Sequence, residues 1–420
     1  MAASLEAGVL EEAFGYSVEV LKRLVSIPTV APQGDHYEEA AELLARELES
    51  MGFEVAVERV PAEYQREKCR HASENPRFIV YGRRGEGGPA LHFNGHYDVV
   101  PGGPGWTVTE PFKPVVKDGK LYGRGAIDMK GGIAAALGAF KALQLSGAWP
   151  QGLRLEAAFV PDEEIGGECG TGYLVNGMGV TPEYVILPEP SGLEKPWHGH
   201  RGILWMKVRV KGRTAHASTP WHGRNAFLLA SAIALDLQQA LAAMYAGRRS
   251  KYRIEPEESA RPTVSLGGEA GVTGGGKTNQ VPGEFYFTVD RRLIPEETVA
   301  QARGELVGVL TWLSVKHGAE VEAEEVISAE PAINEPGELY EALREAARQS
   351  GRVIGQPVVC PGGLDMWYYT VKGSKALAYG PRGELAHAPD EHIDLVELRF
   401  LVEAFARLPL TLAGALQRRT

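Results

Sequence analysis

The spacing of apolar residues predicts that the first half of the chain alternates between helices and strands. Apolar side chains recur at helical spacing from Leu5 to Val25, from His36 to Met51 and from Ile133 to Leu145, as in helices that pack one face against a core. Shorter runs of β-branched and aromatic residues predict strands at Glu54–Val60, Arg77–Tyr81, Leu153–Val160 and Tyr184–Leu187. The stretch Ala90–Val100 begins with an apolar run that fits a buried strand and ends in a glycine, Gly95. The charged segment from Ala62 to Pro76 has neither pattern and is predicted to be an exposed excursion.

Three of these predicted strands end in acidic residues or histidine framed by glycine or proline. His96 and Asp98 close the first, Glu163 and Glu164 follow the second, and Glu189 follows the third. An α/β sheet presents its ligand-binding residues along the carboxyl edge of its strands. The sequence therefore predicts an α/β fold with a cluster of polar side chains at that edge.

The pattern changes near Gly202, where an alternating strand begins. The order strand, helix, strand, strand, helix, strand is predicted at Ile203–Val210, Ala226–Met244, Pro262–Leu266, Glu284–Val289, Thr298–Val315 and Ala319–Ile327. This β-α-β-β-α-β order is typical of a ferredoxin-like unit. A helix at Leu339–Gln349 and strands near Val358 and at Ala376–Tyr379 then resume the α/β pattern. We therefore predict a discontinuous first domain, residues 1–201 and 329–420, with an inserted domain at 202–328.

Charge and hydropathy exclude two classes of partner. The 420 residues carry a formal net charge of −10 and no concentrated run of Lys and Arg, which argues against a nucleic-acid surface. The sequence has no apolar segment like that of a signal peptide at its start and no uninterrupted apolar run of membrane-spanning length. We expect a cytoplasmic protein with neither a nucleic-acid nor a membrane partner.

The cysteines narrow the choice of metal ligands. Cys69, Cys169 and Cys360 are far apart and form no CxxC motif, so their spacing indicates neither a disulfide framework nor a thiolate zinc site. Any metal is therefore expected to bind to histidines and carboxylates.

Five stretches carry candidate ligands of this kind. They are His96 with Asp98, Asp128, Glu163 with Glu164, Glu189, and His387 or His392. Each alone has an ordinary explanation: a hydrogen-bonded pair at a strand end, a helix N-cap, a solvated turn, a surface carboxylate or a loop histidine. Five such sites framed by glycine or proline in one domain are an improbable coincidence, which favours a common functional site.

The inventory of side chains suits a pair of divalent cations. Two imidazoles and three carboxylates would hold two ions of the zinc type that share one bridging carboxylate, and one carboxylate would be left over. Two cations lower the pKa of a bridging water toward neutrality. The remaining carboxylate can take a proton from that water and pass it to a leaving amine. The pattern thus predicts hydrolytic chemistry.

Four motifs, in this order along the chain, resemble those of the M20 metallopeptidase family. They are GHYDVVP at Gly95–Pro101, GRGAIDMKGG at Gly123–Gly132, PDEEIGG at Pro161–Gly167 and HAPDE at His387–Glu391. The resemblance extends over nearly the whole chain and points particularly to the acetylornithine deacetylase and succinyl-diaminopimelate desuccinylase branch. It implies an α/β, mixed-sheet, zinc-peptidase-like catalytic domain in which the inserted ferredoxin-like domain is a lid.

The resemblance also implies a role for each matched residue. Glu163 would be the general base, Asp98 would support a histidine ligand, and the peptide between Asp128 and Met129 would be cis. The cofactors would be two zinc ions, with cobalt or manganese as possible replacements. The implied ligands are His96 and Glu189 for one ion, Glu164 and His387 for the other, and Asp128 as the bridge.

The predicted lid carries further matches. In the segment Gly212–Pro220, His216 matches a histidine that stabilises the oxyanion and often reaches into the neighbouring subunit's active site, which implies a homodimer formed through the lid. Asn279 and Arg292 match residues that bind the carboxylate or carbonyl of the substrate; Arg291 is the adjacent alternative. An arginine fork suits a carboxylate.

One matched loop departs from the family pattern. Residues Gly362–Asp365 read GGLD where the family usually has Gly-Gly-Ser/Thr-Asp. Gly363 is implied to contact substrate, but Leu364 supplies no hydroxyl group. The aromatic residues that follow, Trp367 and Tyr368, either line the specificity pocket or pack in a core.

The sequence thus predicts a dinuclear metal-dependent hydrolase that cleaves the amide bond of a small N-acyl amino acid or short peptide, as in amino-acid biosynthesis. A broad-specificity carboxypeptidase or aminoacylase is the alternative within this chemistry. A non-catalytic metal-binding relative would have no need of Glu163. A nucleotide-binding protein would rest on Gly274–Lys277, a run that lacks the spacing of a P-loop.

Overall fold

The computed structural model describes residues 5–335 and 337–418. The helices are α1 (Ala7–Ser26), α2 (Tyr37–Ser50), α3 (Ala62–Lys68), α4 (Lys130–Ser146), α5 (Thr171–Asn176), α6 (Ala226–Tyr245), α7 (Val299–His317), α8 (Gly337–Gln349), α9 (Met366–Thr370) and α10 (Leu395–Gln417). The strands are β1 (Glu54–Arg59), β2 (Phe78–Arg84), β3 (Ala90–His96), β4 (Val115–Lys117), β5 (Lys120–Tyr122), β6 (Arg154–Val160), β7 (Tyr184–Leu187), β8 (Trp197–His200), β9 (Gly202–Lys211), β10 (Ala215–His216), β11 (Thr263–Val272), β12 (Gln280–Val281), β13 (Glu284–Leu293), β14 (Glu320–Ala329), β15 (Ala332–Ile333), β16 (Val358–Cys360), β17 (Lys375–Ala378) and β18 (His392–Asp394).

These elements form two compact units. The first comprises the residues up to 198, residues 334–358 and the residues from 364 onward, and the second comprises residues 199–333 and 359–363. The first unit is built on a mixed sheet with the strand order β1-β2-β6-β3-β7-β17. Strand β3 is parallel to both β6 and β7, and β17 is parallel to β7, whereas β1 and β2 are antiparallel to their neighbours. The predicted α/β fold with a mixed sheet is confirmed.

Helix α4 lies at the centre of the packing in the first unit. It is rich in alanine and glycine, is buried from Lys130 to Phe140, and contacts both α1 and α10. Small residues are needed there: a Cβ atom on Gly138 would lie 2.9 Å from side-chain atoms of both Ser17 and Val402. Helix α10, which the sequence analysis did not predict, packs apolar residues such as Phe405 into this core.

The second unit has the order of elements predicted for the inserted domain. Strands β11-β13-β9-β14 form an antiparallel sheet, and helices α6 and α7 contact it. Residues along β9 alternate between buried and half-buried. Its buried Leu204 and Val208 share a core with inward residues of the two helices, such as Leu237 and Leu310. The predicted ferredoxin-like architecture is confirmed.

Helix α6 is the one helix among the described residues that is long and apolar enough, by length and composition, to cross a membrane. Ile233, Leu237 and Leu241 on its inner face are buried in the core of the second unit. The core helix of a globular domain passes the same test, so this helix is weak support for a membrane span.

One prediction for the first unit is wrong and a second is wrong in part. Cys69 and Cys169 form a disulfide bond across 100 residues of sequence. The segment Ala62–Pro76 is largely exposed, as predicted, but part of it is regular and forms helix α3. The chain reaches Cys69 between β1 and β2, and it reaches Cys169 just after β6. Because β2 and β6 are paired in the sheet, folding brings these connections together, which the spacing of the cysteines in sequence does not show.

Candidate metal centre

The centre is assembled where parallel strands of the first unit end. His96 is the last residue of β3, Glu163 and Glu164 lie in the 3₁₀ turn after β6, and Glu189 is two residues beyond the end of β7. Because β6, β3 and β7 are adjacent and parallel, their carboxyl ends lie at the same edge of the sheet. The polar cluster predicted from the strand ends is therefore formed at one place.

Asp128 and His387 join this cluster from two loops. The Oδ1 atom of Asp128 lies 3.2 Å from Nε2 of His96, and its Oδ2 atom lies 3.3 Å from Nε2 of His387. The Oε1 atom of Glu164 is 3.0 Å from the same nitrogen of His387. One carboxylate thus faces two imidazoles, as a ligand that bridges two metal ions would. The peptide between Asp128 and Met129 is cis, as the resemblance implied.

Asp98 contacts the loop that carries the two glutamates. Its carboxylate accepts hydrogen bonds from the backbone N–H groups of Glu163 and Glu164, each at 3.2 Å. The Nδ1 atom of His96 lies 3.0 Å from the backbone carbonyl oxygen of Asp98 and 3.4 Å from its carboxylate. Asp98 therefore orients the imidazole mainly through its main chain, and its side chain fixes the turn beside it.

Burial and crowding change the acidity of the clustered groups. Burial raises the pKa of Glu189 to about 8 and that of Glu163 well above its ordinary value, and neighbouring carboxylates add to both shifts. Hydrogen bonds to Asp128 and Glu164 raise the pKa of His387 to about 10. Burial opposes ionisation of Asp128, but its hydrogen bonds to the two imidazoles lower its pKa overall.

This donor set fits divalent cations. The ligand atoms of His96, Asp128 and Glu164 lie within 4.8 Å of one another, and Glu189 is buried beside them. Carboxylates that share a buried site repel one another unless positive charge is supplied. Imidazole nitrogens and carboxylate oxygens are ligands that zinc and related transition metals accept. Bound cations would therefore supply the charge that this cluster needs.

A buried ion pair behind the centre was not predicted as part of it. Arg124 donates to Glu391 at 2.5 Å, and both side chains are buried. The other oxygen of Glu391 accepts hydrogen bonds from the backbone N–H groups of Ile127, at 2.9 Å, and Asp128, at 3.3 Å. Arg124 also donates to the backbone carbonyl of His387 at 3.2 Å. The pair thus connects the two loops that carry Asp128 and His387.

A chain of buried side chains leads away from the centre along β3. Asn94, two residues before His96, donates to Thr171 at 3.0 Å, and Thr171 donates to Asp365 at 2.5 Å. The carboxylate of Asp365 lies so close to Gly167 that a Cβ atom there would be 2.2 Å from it. Asp365 therefore packs directly against the turn that carries the two glutamates, and it comes from the loop in which the sequence departs from the family pattern.

The remaining predicted site residues, His216, Asn279, Arg292 and Gly363, belong to the second unit. His216 is exposed on β10, and its Nδ1 atom lies 2.7 Å from the hydroxyl of Ser218. Asn279 is exposed in the turn before β12. Arg292 is 27% exposed and binds Asp290 through two nitrogens, at 2.7 and 2.9 Å, whereas Arg291 is buried against Glu297. Of the two arginines, Arg292 is the one accessible to a ligand.

Comparison with known proteins finds similar sequences and structures over most of the chain. The model of peptidase family M20/M25/M40 matches residues 92–411. A succinyl-diaminopimelate desuccinylase from Alkalilimnicola ehrlichii is 29% identical over 410 residues, which cover 95% of this chain and 99% of the relative. The M20 metallo-carboxypeptidase Sso-CP2 from Sulfolobus solfataricus has a TM-score of 0.75 at 20% identity, covering 95% of this chain and 99% of that structure. A dinuclear metal-binding M20 peptidase from Bacillus subtilis has a TM-score of 0.64 at 18% identity, covering 95% and 98%.

Proposed function

Because the chain belongs to peptidase family M20/M25/M40, we propose that this metal-dependent hydrolase uses two divalent cations to cleave the amide bond of a small N-acyl amino acid. The observation that carries the proposal is the position of Asp128, whose two oxygens face His96 and His387 at 3.2 and 3.3 Å. Buried aspartates are common, but one placed between two imidazoles and beside a further carboxylate suits a pair of cations that share a ligand.

The side chains divide into two ligand sets and one group left free. His96 and Glu189 would hold one cation, Glu164 and His387 the other, and Asp128 would contribute an oxygen to each. When bound, the cations would supply electrophilic stabilisation of the substrate carbonyl and would acidify a water molecule. We propose zinc, with cobalt or manganese as replacements, because the donors are nitrogen and oxygen atoms.

Glu163 is the group proposed to move the proton. It lies in the same turn as Glu164, and the backbone N–H groups of both residues donate to Asp98, so its carboxylate is held beside the ligands without being assigned to a cation. From there Glu163 would accept a proton from the attacking water at a carboxylate oxygen and deliver it to the leaving amine nitrogen.

The second unit is proposed to supply groups that bind the substrate. His216 would donate a hydrogen bond to the developing oxyanion, because electrostatic stabilisation of this kind is usually the largest single term in catalysis. Arg292, with Asn279 and Gly363, would bind the carboxylate or carbonyl of the substrate. These roles rest on the family resemblance, as does a homodimer formed through this unit. A cytoplasmic location is proposed because the sequence has no apolar run like that of a signal peptide or a membrane span.

The choice of an N-acyl amino acid as substrate rests on the desuccinylase relatives. The A. ehrlichii protein aligns over 95% of the chain, so the similarity includes both units. Leu364 replaces the usual hydroxyl-bearing residue in the loop that carries Gly363, which favours an acyl group other than the one that such a hydroxyl would bind. A carboxypeptidase or aminoacylase activity is the alternative outcome.

The test combines a substrate panel with one substitution. Acetylornithine, succinyl-diaminopimelate, other N-acyl amino acids and blocked dipeptides are assayed with metal-replete enzyme. Glu163→Gln should leave the metal content at two ions per chain and abolish turnover, because the amide cannot accept the proton. Glu86→Gln, which changes an exposed carboxylate in the turn between β2 and β3, is the matched control. Substantial activity in Glu163→Gln would show that the assigned base is wrong.

A further inference from the structure

The connection between β1 and β2, residues 61–76, lies over the loop that carries the two glutamates. We call this connection the strap, and we call residues 161–170, which follow β6, the glutamate loop. The strap begins with α3 and then turns back, and the side-chain amide of Gln65 fixes the turn by donating to the carbonyls of Ser73, at 2.6 Å, and Asn75, at 2.9 Å. Asn75 also donates to Gln33 and Asp35. The strap is therefore a defined structure and not a loose surface loop.

The first attachment between strap and glutamate loop is a buried ion pair. Arg77, directly after the strap, donates to Asp162 at 2.7 Å, and both side chains are at most 2% exposed. The same guanidinium donates to the carbonyl of Asn75 at 2.6 Å and to the hydroxyl of Ser73 at 3.1 Å. The other oxygen of Asp162 accepts a hydrogen bond from Tyr37 at 3.0 Å. Arg77 thus joins the end of the strap to the residue that precedes Glu163.

The second attachment is covalent. Cys69, at the end of α3, is bonded to Cys169 near the end of the glutamate loop. Beside it, the ring of Tyr64 on α3 packs against Tyr173 on α5, with 4.8 Å between the ring centroids. The glutamate loop is therefore held by the strap at both ends, at Asp162 and at Cys169.

The glutamate loop needs such support because of its conformation. Asp162 has a φ angle of 65°, in the left-handed region that non-glycine residues adopt at a cost. Its carbonyl accepts a hydrogen bond from Gly167 at 2.8 Å, which closes the turn around Glu163 and Glu164. Rotation of the backbone at Asp162 would swing both glutamates, so the contacts of Arg77 and Tyr37 with this side chain stabilise the turn.

We propose that the strap is a positioning element for the glutamate loop, with Arg77 as a positioning residue that acts through Asp162 and the Cys69–Cys169 bond as the second attachment. The proposal rests on the proposed function in assigning Glu163 as the base. In that assignment Glu164 is held both by the loop and by a cation, whereas Glu163 is held by the loop alone. Loosening the strap should therefore impair proton transfer more than metal binding.

The experiment compares variants in the metal-loaded, full-length protein. In Cys69→Ser/Cys169→Ser and in Arg77→Met we expect kcat to fall by about 10-fold, because small misplacements of a catalytic group have effects of this size or larger. Metal content and KM should stay within about 2-fold of wild type. The reason is that Glu164 would still be held by its cation, and the change would affect proton transfer more than binding. Arg77→Lys retains a cation that can pair with Asp162, so it should recover part of the kcat that Arg77→Met loses.

A second readout does not depend on turnover. Amide hydrogen exchange in peptides that cover residues 161–170 should become faster in the strap variants, because local opening of this loop becomes easier. Leu343→Ala is the matched control, since it removes buried side-chain volume from α8, which packs on α10 and β17. It should lower global stability without a selective change in the exchange of the glutamate loop or in kcat.

Reduction of the disulfide bond provides an independent test of the second attachment. With a phosphine reductant, the disulfide, one phosphine and one water become two thiols and a phosphine oxide. This treatment should lower the kcat of wild type to that of Cys69→Ser/Cys169→Ser. The double variant has no such bond, so any effect of the reductant on it reports removal of metal.

Each remaining outcome decides the question. Unchanged hydrogen exchange in the strap variants overturns the proposal whatever their activity. Faster exchange with unchanged kcat would show that the strap supports the fold without positioning Glu163, and it would overturn the proposal as well. An equal fall in kcat for Leu343→Ala would attribute the effect to global stability and overturn the proposal too. If wild type turns over nothing on the substrate panel, the proposed function fails instead, and the exchange measurement alone tests the strap.

Discussion

Removal of the Arg124 guanidinium should weaken both the fold and the metal centre. Arg124 donates to Glu391 and to backbone carbonyls on two loops: those of His387 and Ala388 at 3.2 Å, and that of Gly102 at 3.2 Å. Arg124→Met leaves the carboxylate of Glu391 buried without its cation and leaves these carbonyls without their donor.

The size of the effect follows from burial. Arg124 is 2% exposed and Glu391 1%, and removing one partner of such a pair costs about 3–5 kcal/mol because the other charge stays buried. The pair orients the backbone at Asp128 and His387, and loss of a group that orients metal ligands lowers metal affinity by about 10–100-fold. In the proposed ligand assignment His387 serves only one of two cations. We therefore expect Arg124→Met to lower the affinity for that cation more than the affinity for the other.

Urea unfolding of the metal-free protein and calorimetric titration with zinc measure the two effects separately. Arg348→Met is the control, because Arg348 pairs with Glu345 on the exposed side of α8, where ion pairs contribute little; its unfolding midpoint and zinc affinity should match wild type. A loss below about 1 kcal/mol in Arg124→Met would contradict the estimate for a buried pair. Unchanged affinity for both cations would refute the argument that this pair orients the ligands.

His216→Ala should lower kcat by about 10²–10³-fold while metal content stays constant; loss of metal would instead place His216 among the ligands. Chelation of the cations should abolish turnover and destabilise the fold by about 2.7 kcal/mol for each site that is filled at 100 times its Kd, with zinc, cobalt and manganese compared in reconstitution; an unchanged Tm would argue against a buried cation site. Burial lowers the pKa of His200 to about 4, so between pH 6.5 and pH 4 the unfolded chain binds more protons than the folded one and stability is lost as the pH falls through this range. Between pH 7 and pH 4, His200→Asn should lose about 3 kcal/mol less stability than wild type in urea unfolding, and equal losses would show that His200 is not the source.

The sequence predicted the ligand-bearing strand ends because the signal there is local. An apolar strand followed by His96 and Asp98, or by Glu163 and Glu164, shows both the element and its polar end within a few residues. The same alternation extends backwards along β3 to His92 and Asn94, which lie on the face of His96. Reading it that far would have predicted that polar side chains continue along this face of β3, but not their distant partners Thr171 and Asp365.

The two buried ion pairs that hold the loops of the site could not be predicted, because each pair joins residues that are far apart in sequence. Arg124 and Glu391 are separated by 267 residues, and Arg77 and Asp162 by 85. Nothing near Arg77 in sequence distinguishes it from a surface arginine, and the charged residues of the strap suggested exposure. Helix α10 was not predicted although its apolar residues have helical spacing, and Pro409 lies within it.

The two buried arginine–carboxylate pairs, Arg124–Glu391 and Arg77–Asp162, explain how the loops of an acidic centre can be held in place. A buried ion pair is favourable only when its remaining hydrogen-bonding groups are satisfied. Arg77 meets this condition by donating to backbone carbonyls of the neighbouring loops. Arg124 meets it only in part: its two terminal nitrogens donate to such carbonyls, but its buried Nε atom has no partner among the described residues. The pairs therefore fix the course of the chain as well as supplying charge. Glu164, as a proposed ligand, would be held both by a cation and by the loop that these ion pairs fix. Glu163 would be held by that loop alone. In the proposed assignment, metal binding and proton transfer would thus depend on different contacts of one turn.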